Sequence, residues 1–148
     1  AGVMRLVEDY MEPKPNVHEI AYAATYMGQD LLNPPTVEGW HTGHEWIDSG
    51  ALVERINFAS SQVGDTSKPG VKKIVDRLRA LGVEASDGEI VDNTLELVGP
   101  LQVTDQRKLD LIRYLEHYND TYGSGGIFEE KIAGLLQLVV ASREYQFA

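Results

Sequence analysis

The side chains best suited to chemistry gather in one stretch, residues 28–48. It holds both tryptophans, Trp40 and Trp46, two of the four histidines, His41 and His44, and the adjacent prolines Pro34 and Pro35. Three kinds of chemistry are open to it. As a metal site, His41, His44 and Glu45 would supply imidazole and carboxylate, which suit zinc or iron. Their spacing is neither His-Glu-x-x-His nor its inverse, however, and Gly43 disfavours the helix on which those motifs work. No further ligand is near in sequence, since His18 and His117 lie far away. As a binding loop, Trp40 and Trp46 would be flat platforms for a sugar, a peptide or a partner chain, with Asp30, Asn33, Glu38, His41, His44, Glu45 and Asp48 around them. As plain structure, Pro34-Pro35 fixes an extended turn, Gly39 and Gly43 take positive φ, and both indoles pin the loop to neighbouring helices. That last reading accounts for every residue without a ligand, and it is preferred.

A loop of about 20 residues in a compact domain is usually functional or disordered. Disorder is a poor account here, because Trp40, Trp46, Val37 and Ile47 would leave too much apolar surface in water. An ordered loop rich in Pro, Gly and Trp is expected.

Other chemistry is weaker still. Glu8-Asp9 and Glu129-Glu130 fall on amphipathic helices and read as solvated faces. No Gly-x-Ser-x-Gly elbow or Ser-x-x-Lys pattern occurs. Gly123-Ser124-Gly125-Gly126 lacks the preceding strand and following Lys-Ser/Thr of a phosphate loop, so it reads as a hinge. The tyrosines Tyr10, Tyr22, Tyr26, Tyr114, Tyr118, Tyr122 and Tyr145 sit mostly at helical spacing and are expected at the edge of the core. With no cysteine, thiolate catalysis, disulfides and cysteine-ligated metal are excluded. The residues thus name no catalytic side chain, no cofactor and no metal.

The elements that must position these side chains are helices. Val71, Ile74, Val75, Leu78 and Leu81 draw one apolar stripe, opened by Pro69 and closed by Gly82. Ser86-Asp87-Gly88-Glu89 matches a capping box, leading a helix through Ile90, Val91, Leu95 and Val98 to Gly99-Pro100. Thr104 or Asp105 caps the next helix, whose stripe is Leu109, Ile112, Leu115 and Tyr118. Residues 127–141 are apolar on nearly every face, as befits a central buried helix. In the front half, residues 3–11 form a short helix stopped by Pro13 and Pro15. Asn16 caps a second that buries Ile20, Ala21, Ala24 and Met27. A third begins near Ser49 with Leu52, Ile56, Ala59 and Val63 on one face. No stretch sustains strand-like alternation. The fold class is all-α, with six to seven helices packed as an irregular orthogonal bundle.

Composition bounds the rest. The 148 residues form a single helical region with a sub-boundary near 64–70, the polar connector Gly64-Asp65-Thr66-Ser67-Lys68-Pro69-Gly70. A chain of this size buries roughly 70% of its unfolded surface, enough for a core without staples. The formal net charge is −10, and residues 1–65, with 3 basic and 10 acidic side chains, supply −7 of it. Such an excess argues against a nucleic-acid partner, which needs a basic face. No apolar run approaches the roughly 20 residues of a membrane span.

Beyond this chemistry the chain resembles a known family. The run Tyr26-Met27-Gly28-Gln29-Asp30-Leu31-Leu32-Asn33-Pro34-Pro35-Thr36-Val37-Glu38-Gly39-Trp40, then Trp46-Ile47-Asp48-Ser49, is similar to the signature of DUF1800, a bacterial family of unknown function. Leu52-Val53-Glu54-Arg55-Ile56-Asn57-Phe58-Ala59 resembles the family's Leu-x-x-Arg-x-Asn-Phe helix. Leu136 to Gln146 resembles its closing Leu-x-x-x-Ser-Pro-Glu-Tyr/Phe-Gln, with Arg143 in place of the usual Pro. The resemblance runs from about Met4 to Phe147 and is weak over 66–104. It implies a C-terminal fragment of a longer exported protein, in the periplasm or at the cell surface, and it brings no established catalytic residue. The expected function is therefore a non-catalytic helical scaffold or binding module. Its partners would be the upstream part of its own chain, another protein or a glycan. The alternative is one wall of a hydrolase or carbohydrate-active site around the Trp40–Trp46 loop.

Overall fold

The computed structural model describes residues 2–8, 17–28, 30, 33, 36–37, 49–82 and 84–147. Among these, eight α-helices carry the architecture: α1 (Gly2–Val7), α2 (Val17–Tyr26), α3 (Ser49–Gly64), α4 (Pro69–Arg79), α5 (Asp87–Val98), α6 (Asp105–Tyr122), α7 (Phe128–Ala141) and α8 (Arg143–Gln146). A 3-10 turn, Gly123–Gly125, links α6 to α7. The fold is all-α, as the periodicity requires.

Helix α7 is the hub. It packs on α3, α4, α6 and α8, and Ile132, Leu135, Leu136, Val139 and Val140 are buried along it. One apolar cluster joins those residues to Val7 on α1, Ala59 and Val63 on α3, Val71 and Leu78 on α4, Val91 on α5 and Leu115 on α6. The connector at 64–70 is therefore a bend over one shared core. Its turn is held by Asp65, whose Oδ1 accepts from the Ser67 amide at 2.9 Å and the Ser67 hydroxyl at 2.6 Å.

Several helix ends follow from local chemistry. Pro69 opens α4, where its missing N–H costs no hydrogen bond, and Gly82 takes φ 94° just beyond the helix. Both capping-box bonds are made at the start of α5: the Glu89 amide donates to Ser86 Oγ at 3.2 Å, and the Ser86 amide donates to Glu89 Oε2 at 2.9 Å. Thr104, not Asp105, caps α6 by accepting from the Arg107 amide at 3.2 Å.

Other expectations are corrected. Helix α1 ends at Val7 rather than running to residue 11, and Glu8 turns to φ 55° to pair with Lys73 of α4 at 2.5 Å. Leu81 lies past the end of α4, exposed. On α6 the buried residues are Leu111 and Leu115, whereas Leu109 is 48% exposed. Ile127, at the N-cap of α7, and Leu138 on it are also exposed, so this helix is apolar on nearly every face without being buried on every face. Glu129 lies on a solvated face as expected, with its side chain 42% exposed, but it is also paired. It takes Arg79 Nη2 at 2.6 Å while that guanidinium lies 5.4 Å from the Phe128 ring centre, which ties the end of α4 to the start of α7.

The most buried charge is Lys131, 8% exposed on α7. Its ammonium donates to Asp87 Oδ1 at 3.1 Å and Asn119 Oδ1 at 2.9 Å, and the Asn119 amide donates back to Asp87 at 3.2 Å. One residue each from α5, α6 and α7 thus closes a polar triad that satisfies a charge inside the bundle.

Candidate functional site

Helix α3 presents Arg55 and Phe58 toward the end of the chain. Arg55 is half-buried, and its Nη2 donates to the main-chain carbonyl of Gln146 at 2.9 Å. Burial pulls its pKa below the ordinary arginine value, yet a guanidinium remains charged at neutral pH. The acceptor is positioned by α8. There Ser142 serves two helix ends, donating to the Val139 carbonyl at 2.6 Å and accepting from the Tyr145 amide at 3.3 Å. Gln146, buried, donates its side-chain amide to the Val140 carbonyl at 2.6 Å. Tyr145 is mostly buried, and desolvation pushes its phenol above the usual 10.0.

These side chains line a cavity of about 350 Å³. Met27 from the end of α2, Phe58 and Ala59 from α3, and Leu101 from the segment after α5 supply apolar walls around Arg55 and Tyr145. Its size falls within the range of small-ligand sites, and its make-up, apolar walls with a few polar groups, is typical of them. Arg55 supplies a positive charge anchored on the Gln146 carbonyl, Tyr145 a neutral hydroxyl, and Gln146 an amide already engaged. That set can hold and orient a ligand. At neutral pH it contains no group ready to take a proton or attack a carbon.

The tryptophan-rich stretch departs from the same edge. Gly28, at φ 88°, follows Met27 directly. Asp30 ties the root of the loop: Thr25 Oγ1 donates to its Oδ1 at 3.3 Å, Asn33 Nδ2 donates to its Oδ2 at 3.0 Å, and the Asn33 amide donates to its carbonyl at 3.1 Å. Of the residues singled out from sequence, Asn33 and Asp30 are thus brought together, and their polar groups hold the chain. Glu38, Trp40, His41, His44, Glu45, Trp46 and Asp48 lie outside the described residues. Among the described residues, no three His, Cys, Asp or Glu side chains gather as a metal would require.

Three stretches far apart in sequence therefore meet at one cavity: Met27, the Arg55–Ala59 segment and Tyr145–Gln146. They are the stretches that carried the likeness to a known family, and that family's profile, described as a protein of unknown function, matches residues 1–147. The chain belongs to the DUF1800 family. No curated protein and no solved structure matches it. Membership accounts for one local departure. The usual Ser-Pro of DUF1800 would place proline at the first position of α8, where helices accept it; here Arg143 occupies that position behind the Ser142 cap. Helical periodicity does not mark the cavity residues: Ala59 fits the apolar face of α3, whereas Arg55 and Gln146 lie off any apolar stripe. Only the recurrence of matching stretches around Arg55 and Gln146 singled them out, and nothing in their periodicity placed them together.

A second concave surface lies between α2 and α3, where Tyr22 and Tyr26 flank Phe58, Glu54 and Asn57. Both tyrosines are exposed, at 68% and 69%, and Tyr122 is exposed as well. The core-edge expectation fails for these three. Tyr114, Tyr118 and Tyr145 meet it, each half-buried against the apolar cluster or its neighbours.

Proposed function

We propose that this DUF1800 chain is a non-catalytic helical binding module of an exported bacterial protein, holding a polypeptide segment at the cavity around Arg55. The observation that supports the reading is the chemistry of that cavity: apolar walls, one guanidinium, one neutral phenol and one committed amide. Such groups orient a carbonyl or carboxylate by hydrogen bonding and offer no nucleophile or base. Met27, just before the tryptophan-rich loop, is part of the cavity wall. The exported setting rests on the family resemblance.

The test is a benzophenone amino acid placed at position 100, exposed at the cavity rim, in the protein made in a bacterial cell envelope. Irradiation is expected to give one discrete protein adduct that is absent from a control carrying the probe at the exposed position 116 of α6. Equal adducts at both positions, or none at position 100, would sink the proposal. Turnover of an ester, glycoside or peptide substrate that falls in Tyr145→Phe would favour the hydrolase reading instead.

A further inference from the structure

A different cleft, of about 720 Å³, opens between α1, α4 and the end of α5. It shares only Gly2 and Val98 with the cavity around Arg55. Its existence depends on how closely α1 crosses α4. A side chain at Gly70 would put its Cβ less than 3 Å from the main chain of both Leu6 and Val7, so only glycine permits the approach. The floor is apolar, built from Leu6, Ile74, Leu97 and Val98.

The rim is charged in a specific way. Arg5, Lys73 and Arg77 face Glu8 and Asp76, which leaves the cleft at +1 within a protein of −10. Both carboxylates are already engaged: Glu8 pairs with Lys73, and Asp76 lies 3.7 Å from Arg79. Arg5 and Arg77 have no ion pair or side-chain hydrogen bond among the described residues. Two uncommitted guanidinium groups thus stand over an apolar floor. Arg77 and Leu97 also line a further depression of about 580 Å³ that continues along α4 and α5 to Leu81, with Leu78 and Ala80 on its apolar side and Asn93 and Glu96 on its polar side. The apolar surface is elongated rather than round, and the one carboxylate of that depression lies away from Arg5.

We propose that this cleft binds an amphipathic monoanion, a long-chain carboxylate. Its head group takes the forked donors of Arg5 and Arg77, and its chain lies along Leu97 toward Leu81. One net positive charge matches one carboxylate, and guanidinium geometry favours it. The elongated trough suits a linear chain better than a ring. The apolar contact supplies affinity in proportion to the area covered, while the arginines select the charge. This site is independent of the one proposed above and survives that reading's failure.

Isothermal titration of the whole chain with decanoate, below its micelle concentration, tests it, with 1-decanol as the uncharged probe. Saturable binding of decanoate is expected, at least tenfold tighter than that of the alcohol, and weakening as salt is raised. The double variant Arg5→Gln/Arg77→Gln removes two exposed side chains that hold nothing else, so circular dichroism and thermal midpoint should stay unchanged. Its decanoate affinity should drop at least tenfold, to the level of the alcohol. No saturable binding to the parent chain, equal binding of acid and alcohol, or an unchanged affinity in the folded variant would each overturn the proposal.

Discussion

Lys131 illustrates what a single residue can conceal. A lysine on the most apolar helix is expected to carry its head group out to solvent along an aliphatic stem. Instead its ammonium stays inside, 3.1 Å from Asp87 and 2.9 Å from Asn119. Such a pair is a weak source of net stability, because desolvating both charges offsets most of their attraction. Losing one partner is another matter. In Asp87→Ala the buried ammonium keeps only the Asn119 oxygen, and we expect a loss of about 2–3 kcal/mol, below the usual range for a broken buried pair because Asp87 is partly solvated. In Lys131→Met the remaining carboxylate sits in the first turn of α5, near favourable backbone dipoles and water, and the change should stay within about 1 kcal/mol. Urea denaturation of both variants checks the ordering. Equal losses would mean that an unpartnered ammonium costs no more here than an unpartnered carboxylate.

Elements differ in how much of their placement the sequence discloses. The start of α5 could be read residue by residue, because Ser86 and Glu89 satisfy each other's orphan backbone groups locally. The facing of α6 could not. Leu109, Leu111, Ile112 and Leu115 all lie within two turns, so two overlapping stripes fit the helical period equally well, and packing against α5 and α7 selects Leu111 and Leu115. The cavity around Arg55 was illegible for a related reason, since the bond from Arg55 to the Gln146 carbonyl joins residues 91 apart. Local pattern carries no information on such a pairing. The placement of α1 is similarly set from afar, by Gly70 of α4. Gly70→Ala would drive a methyl group into the main chain of Leu6 and Val7, which cannot yield as a flexible side chain could. We expect a loss of about 2–3 kcal/mol, typical of overpacking, with α1 displaced. Amide exchange should then speed up in α1 while α7 keeps its relative protection. Uniform acceleration across all helices would instead mean that α1 is inseparable from the core.

At the scale of the whole molecule, the charge of −10 and the caps act in opposite directions as pH falls. Protonating exposed carboxylates relieves self-repulsion and so favours the compact state. Three carboxylates resist protonation in the fold. The Ser67 hydroxyl and amide hold Asp65 below its ordinary 3.8, the Ser86 amide and hydroxyl hold Glu89 below 4.5, and the Arg79 guanidinium holds Glu129 below 4.5. Each folded-state pKa lies below the unfolded one, so the unfolded chain binds the proton first. Their contribution is complete above the ordinary carboxylate range and is lost as pH falls through the folded values. Relief of repulsion sets in only as the ordinary carboxylates begin to protonate near about pH 5, and loss of the three bonded carboxylates dominates below about pH 4. The urea midpoint should therefore hold or rise slightly between those limits and then fall. Ser86→Ala should lower the midpoint at neutral pH and make the acid fall somewhat shallower, because Glu89 would then lose the hydroxyl bond and keep only the amide bond that lowers its folded pKa. A midpoint that kept rising to about pH 3 would show repulsion to be the larger force throughout. Parallel curves for parent and variant would show that the box at the head of α5 does not respond to acid.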